Sequence, residues 1–98
     1  MAEQETELTA YAYLLRCADG TLYAGWTWDP DRRLAQHNKG KGAKYTRGRL
    51  PVTLLRAWPF ASQTEAMQFE LWLKSLSRAQ KLRVVSADAA VLKEARSQ

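Results

Sequence analysis

The sequence predicts one small α+β domain, a three-stranded, mainly antiparallel sheet flanked by helices. Three observations predict it. Residues 10–17 and 21–27 are alternating, aromatic-rich runs separated by Asp19-Gly20, a strong hairpin signal. Asp29-Pro30, Ser62-Gln63-Thr64-Glu65 and Ser77-Arg78-Ala79-Gln80 each carry the side chains that open helices. Ninety-eight residues, 46% apolar and 26% charged, supply one core and little room for a second.

Each element follows in order. Residues 1–9 are polar and acidic and read as a disordered leader, neither a signal peptide nor a membrane span. The folded domain is expected over 10–85, with 86–98 as its C-terminal helix or tail. In the hairpin the register decides the chemistry. A two-residue Asp19-Gly20 loop pairs Tyr13 with Trp26 and sends Tyr23 to the opposite face. A three-residue loop with Gly20 left-handed pairs Leu15 with Tyr23 and Tyr13 with Gly25, so both tyrosines share one face. The second register is the one expected. Asp29 caps a helix running to about Asn38 and stopping at Gly40; Arg33 and His37, four apart, share its face. Lys39 to Arg49, with glycines at 40, 42 and 48, reads as a loop. Pro51 introduces a third strand over Val52 to Ala57. Ser62 opens the longest helix, to about Leu76; Ser77 opens a short one to about Val85, and a last helix is expected over Ser86 to Arg96.

Composition narrows the function. The lone Cys17 excludes an internal disulfide, and with His37 as the single histidine no structural zinc site can be built, so a reducing, cytoplasmic compartment is expected. Nothing resembles a Ser/His/Asp, Cys/His or Walker-type constellation. The formal net charge is +5, and its distribution says more: Arg32, Arg33, Lys39, Lys41, Lys44, Arg47 and Arg49 lie within one segment that holds no acidic residue. Cations gathered this way are the electrostatic footprint of a polyanion binder. On the long helix Phe69, Trp72, Leu73 and Leu76 form an apolar stripe, and Glu70 lands about one-sixth of a turn from Leu73, at its edge. A carboxylate there is half desolvated and needs a cation or strong donors. An i,i+4 pair with Lys74, worth about 0.3 kcal/mol, is the plain alternative.

The ordered set resembles the GIY-YIG nuclease family, and specifically its small stand-alone bacterial proteins. Tyr11-Ala12-Tyr13 stands where the family's first strand ends, Tyr23-Ala24-Gly25 matches Tyr-X-Gly, and Arg33 follows ten residues after Tyr23. His37 stands where relatives have Tyr or His one turn on, and Glu70 matches the glutamate of a later helix. Leu22-Tyr23-Ala24-Gly25, Arg32-Arg33, Gln36-His37-Asn38 and Gly40-Lys41-Gly42-Ala43-Lys44-Tyr45-Thr46-Arg47-Gly48 extend the likeness over residues 10–85.

The resemblance implies an endonuclease that hydrolyses DNA with one divalent ion, Mg or Mn, held by Glu70. It casts Tyr13, Tyr23, Arg33, His37 and Glu70 as catalytic: Tyr23 activates the attacking water, Arg33 meets the scissile phosphate, Tyr13 positions, and Gly25 lets backbone approach substrate. A free phenol titrates near about 10, so Arg33 and the ion must depress Tyr23, or His37 must relay its proton. Lys39, Lys41, Lys44, Arg47 and Arg49 are expected on phosphates, the loop glycines bringing backbone close to the sugar–phosphate chain. Tyr45 either stacks on an unpaired base or covers the hairpin; Trp26 and Trp28 are expected as partial core with an exposed edge. Lacking a recognition helix, the chain suits single-stranded or branched DNA without sequence specificity. Ala24 replaces the family's usual isoleucine. No Asn follows Glu70, so Lys74 or Lys81 substitutes for it or the site is less well supported. A binding module with little turnover is one rival; a nuclease subunit needing a protein partner, docked on Trp58 and Phe60 beside Pro59, is the other.

Overall fold

The hairpin forms because its turn is built for it. In the computed structural model, which describes residues 8–88, β1 (Ala10–Arg16) and β2 (Leu22–Thr27) pair antiparallel. Gly20 sits at φ +86°, and Asp19 accepts from both the backbone N–H (3.0 Å) and hydroxyl (2.6 Å) of Thr21. A left-handed residue without a side-chain penalty closes the turn. The register is Leu15 opposite Tyr23 and Tyr13 opposite Gly25, the one that puts both tyrosines on one face.

β3 (Thr53–Phe60) lies on the other side of β1, giving the order β2-β1-β3 with both pairings antiparallel. It runs three residues past the expected end at Ala57. Pro59 is tolerated because β3 is an edge strand, where a missing N–H breaks no ladder bond. A bulge between Leu14 and Leu15 interrupts the β1–β3 register, and Arg56 hydrogen-bonds the carbonyls of Val85 (2.8 Å) and Ala87 (2.6 Å).

Four helices complete the described chain: α1 (Pro30–Asn38), α2 (Lys44–Arg47), α3 (Gln63–Lys74) and α4 (Arg78–Ser86). Asp29, Ser62 and Ser77 accept from backbone N–H groups at the three expected N-termini, and Ser77 with Gln80 completes a capping box. The stretch read as a loop contains α2, a single turn too short to announce itself by periodicity. The expected leader, apart from residues 8 and 9, and the expected last helix beyond residue 88 lie outside the described residues.

The sheet has two covered faces. On one, Ala12, Leu14, Ala24 and Trp58 pack with Phe69 and Leu73 of α3 and Val84 of α4. On the other, Tyr13, Leu15, Cys17 and Val52 pack with half-buried Tyr23 and Leu34. Trp58 is buried, its ring 5.0 Å from that of Phe69, and Phe60 meets Phe69 at 5.2 Å. Of the aromatic surface expected there for a protein partner, Trp58 is core and Phe60 is half-buried against it, because alternation along β3 turns both rings toward α3.

Candidate active site

The second face carries a chain of polar groups. Tyr13, at the centre of the sheet, is only 2% exposed. Its side chain lies over Gly25 directly opposite: a Cβ at that glycine would stand 2.5 Å from the Tyr13 hydroxyl and 2.6 Å from Cζ. The glycine therefore makes room for the phenol inside the protein. Gly42 does the same for His37. A Cβ there would run into the imidazole, 2.6 Å from its Cγ, so this loop glycine closes onto a side chain.

One turn of helix spacing brings Arg33 and His37 of α1 to the same oxygen. The Tyr13 hydroxyl is 3.0 Å from His37 Nε2, and Arg33 Nε donates to it at 3.4 Å. His37 is fully buried and its Nδ1 lies 2.8 Å from the hydroxyl of Thr46, also fully buried, which donates to the Ala43 carbonyl at 2.9 Å. Arg33 is further held by Gln36, whose Oε1 accepts from Nη1 at 3.2 Å. Asn38 exchanges two hydrogen bonds with the backbone of Val52, at 2.7 and 3.0 Å, tying the end of α1 to the approach of β3. Sequence reasoning missed Thr46, Asn38 and Gln36; Asn38 and Thr46 owe their roles to partners distant in sequence, and only the helical spacing of Gln36 from Arg33 was a readable signal.

The electrostatics follow from burial. Desolvation raises the Tyr13 hydroxyl above its ordinary value, more than the Arg33 hydrogen bond and charge lower it; Tyr23 and Glu70 act in the raising direction. His37 is pushed below its ordinary value near 6.5, first by burial and then by the Arg33 charge. It is a neutral imidazole at neutral pH.

Tyr23 completes the cluster by ring contacts, at 6.5 Å from Tyr13, 5.5 Å from His37 and 5.8 Å from Tyr45 between centroids. Its hydroxyl makes no hydrogen bond among the described residues, and His37 is joined directly to Tyr13. Tyr45 stacks on Tyr23 and takes the Arg49 guanidinium 3.9 Å from its own centroid, which favours the hairpin-covering alternative over base stacking. Arg49 is also engaged with Asp19 (3.0 Å) and the Tyr45 carbonyl (2.7 Å). Lys39, Lys41, Lys44 and Arg47 are exposed and make no ion pair among the described residues. Trp28 is 43% exposed and meets half-buried Trp26 edge-on at 5.5 Å.

Glu70 is mostly buried, its side chain 14% exposed, and Oε2 pairs with Lys74 Nζ at 2.8 Å. Lys81 instead donates to the Leu76 carbonyl, so Lys74 is the lysine that supports Glu70. No three metal-ligating side chains converge among the described residues. The donor set is a single hard oxygen ligand, which suits an ion that keeps most of its waters and excludes a caged or soft-ligand site.

The GIY-YIG catalytic domain profile matches residues 9–83. The UPF0213 protein BH0048 of Halalkalibacterium halodurans is 53% identical over 76 residues, 78% of this chain and 81% of that one. A UPF0213 protein of Streptococcus pneumoniae is 60% identical over 72 residues, 74% of this chain and 73% of its own. The solution NMR structure of BH0048 superposes with a TM-score of 0.52 at 51% identity, covering 81% of this chain and 84% of that one. These names state no activity. Matched by that profile over most of its length and by relatives at 53% and 60% identity, this chain belongs to the GIY-YIG family.

Proposed function

We propose that this protein is a metal-dependent endonuclease acting on single-stranded or branched DNA without strong sequence specificity, in the cytoplasm. Among the described residues no helix is long and apolar enough to cross a membrane. The observation that carries the reading is the convergence of Arg33 and His37 on the Tyr13 hydroxyl with Tyr23 alongside. Such an arrangement exceeds what polyanion binding needs, since binding needs only the exposed cations of the loop.

Burial divides the labour between the two tyrosines. Tyr13 is enclosed and its raised hydroxyl stays protonated, so it holds Arg33 in place and takes no proton. Tyr23 is half-buried with an unbonded hydroxyl, the phenol able to meet a water. With its own proton released to solvent, the Tyr23 oxygen accepts a proton from that water; the water oxygen bonds phosphorus as the bond to the leaving oxygen breaks, and solvent protonates the leaving group. Arg33 offers guanidinium N–H groups to the non-bridging oxygens, where charge accumulates. Members of the family generally use a divalent metal ion; here Glu70 would hold it, and when bound it supplies positive charge to the phosphate and the leaving oxygen. Lys39, Lys41, Lys44 and Arg47 contact the backbone, each phosphate neutralised on a single strand steepening the salt dependence by about 0.7.

A second reading, a binding module with little turnover, is favoured by one observation: Glu70 already has a cation in Lys74. Cleavage of labelled single-stranded, duplex and flapped DNA with Mg²⁺ or Mn²⁺ separates the two. The expected result is metal-dependent cutting that falls by about 10²-fold or more in Tyr23→Phe and is lost in Glu70→Ala, with DNA binding retained. Salt-sensitive binding without cutting by the unaltered protein would sink the nuclease and leave the binding module.

A further inference from the structure

The hydrogen-bond chain across the buried site has an obligate donor at one end and an obligate acceptor at the other. Arg33 Nε can only donate to the Tyr13 oxygen. The Ala43 carbonyl can only accept, and it takes the Thr46 hydroxyl proton at 2.9 Å. Between them lie two contacts whose direction depends on the histidine, Tyr13 to Nε2 at 3.0 Å and Nδ1 to Thr46 at 2.8 Å. With its one proton given to Ala43, Thr46 must accept, so Nδ1 carries the imidazole hydrogen. Nε2 then holds the lone pair and accepts from Tyr13, whose oxygen is left to face Arg33 with acceptor capacity.

The opposite tautomer fails at both ends. With the hydrogen on Nε2, the Tyr13 O–H would have lost its acceptor and would share its surroundings with Arg33, another donor. Thr46 would have to turn its proton to Nδ1, leaving a 2.9 Å contact with the Ala43 carbonyl that no hydrogen bridges. Because Tyr13, His37 and Thr46 are all within 2% of full burial, water cannot repair these losses, and a buried donor left without an acceptor is destabilising.

We propose that Thr46 is a positioning residue of the site: it fixes His37 as the Nδ1–H tautomer and so sets the direction of the chain that seats Arg33. The assignment of a catalytic purpose rests on the nuclease reading above; the direction of the chain does not. It also gives the basic loop a second function. Thr46 lies between Lys44 and Arg47 on α2, Gly42 closes over the imidazole, and Tyr45 stacks on Tyr23. The segment that presents cations outward therefore holds the site from within.

The test is the tautomer itself, read from ¹⁵N chemical shifts and long-range ¹H–¹⁵N correlations of His37, without DNA or metal, in the unaltered protein, Thr46→Ser and Thr46→Val. Nδ1–H is expected in the unaltered protein and in Thr46→Ser, which keeps the hydroxyl. Thr46→Val, of similar shape but without an acceptor, should lose it in favour of Nε2–H or a mixture. An Nε2–H or charged imidazole in the unaltered protein overturns the proposal whether or not Thr46→Val folds, as does an unchanged tautomer in a folded Thr46→Val. In the cleavage assay the valine variant should lose kcat at least 10-fold with KM for DNA within 2-fold, and the serine variant should recover most of the loss. A kcat that stays at the unaltered level in Thr46→Val overturns the positioning role. Failure of the unaltered protein to cut at all would count against the nuclease reading, while the tautomer measurement would still decide the chain's direction.

Discussion

Alternate residues of one strand build two unlike interiors. Ala12 and Leu14 of β1 face α3 and join Trp58, Phe69 and Leu73 in a cluster of hydrocarbon and aromatic rings. Tyr13, between them, faces α1 and begins a chain of hydrogen bonds through His37 and Thr46. Among the described residues the one buried side-chain polar atom without a partner, Trp58 Nε1, lies in the first interior, whereas the buried polar groups of the second are all paired. In a domain this small one face supplies the cohesion, and that frees the other to bury polar groups that cohesion alone would not select.

The largest effect that would break this division is on the apolar face. Phe69 touches the rings of Trp58, Phe60 and Trp72 at 5.0 to 5.2 Å, so Phe69→Ala should cost about 3–5 kcal/mol by lost burial and a residual cavity. Against a domain stability of about 5–15 kcal/mol, that moves the urea midpoint far or unfolds the chain. A loss under about 1 kcal/mol with unchanged m would show that the aromatic cluster is not the source of cohesion.

A smaller effect sharpens the comparison on the polar face. Gly25→Ala places a methyl group against the Tyr13 phenol, a side chain only 2% exposed, so a loss of about 1–3 kcal/mol is expected. The cause is contact and not strain, since Gly25 is not among the glycines of positive φ. A double-mutant cycle with Tyr13→Ala should therefore recover about 0.5–3 kcal/mol of the loss. Strict additivity would place the cost in the backbone. Gly20→Ala serves as the contrast: nothing lies within 4 Å of that position and φ is +86°, so its cost should be indifferent to Tyr13.

The same contrast explains what the sequence disclosed. The hairpin register was legible because Gly20 and the shared face of Tyr13 and Tyr23 agree on a single loop length. The caps at Asp29, Ser62 and Ser77 were legible because capping is local chemistry. Arg33 and His37 were legible as neighbours from their spacing of four, though not the oxygen on which they meet. The extension of β3 through Pro59 was hidden because strand order, which makes β3 an edge, is a tertiary fact. Gly25 and Gly42 looked like openings toward a substrate; their purpose is read only when the rings of Tyr13 and His37 are seen over them. Thr46 and Asn38 stood only inside stretches of family likeness, and their roles were hidden because each acts through a tertiary partner, His37 for Thr46 and Val52 for Asn38.

The smallest expected effect concerns His37 and tests whether the polar face is as dry as its burial suggests. The imidazole is held below its ordinary value near 6.5 by burial and by Arg33, and it faces Tyr13, Tyr23 and Thr46, with no carboxylate in hydrogen-bond contact among the described residues. Its folded value lying below its unfolded one, the unfolded chain binds the proton first as pH falls. Stability is therefore constant, as far as this group is concerned, above about 6.5, and declines below it until the folded imidazole also titrates. The slope can reach at most about 1.4 kcal/mol per pH unit. Urea midpoints at pH 7.5 and 5.5 should show the decline in the unaltered protein and its disappearance in His37→Gln, a variant expected to be less stable at both values. Asp19, held below its ordinary value by Thr21 and Arg49, stays ionised across this window and adds no slope. Equal midpoints in the unaltered protein at the two pH values would mean that the imidazole takes a proton without penalty, and the distinction between a dry polar face and a wet one would fall with it.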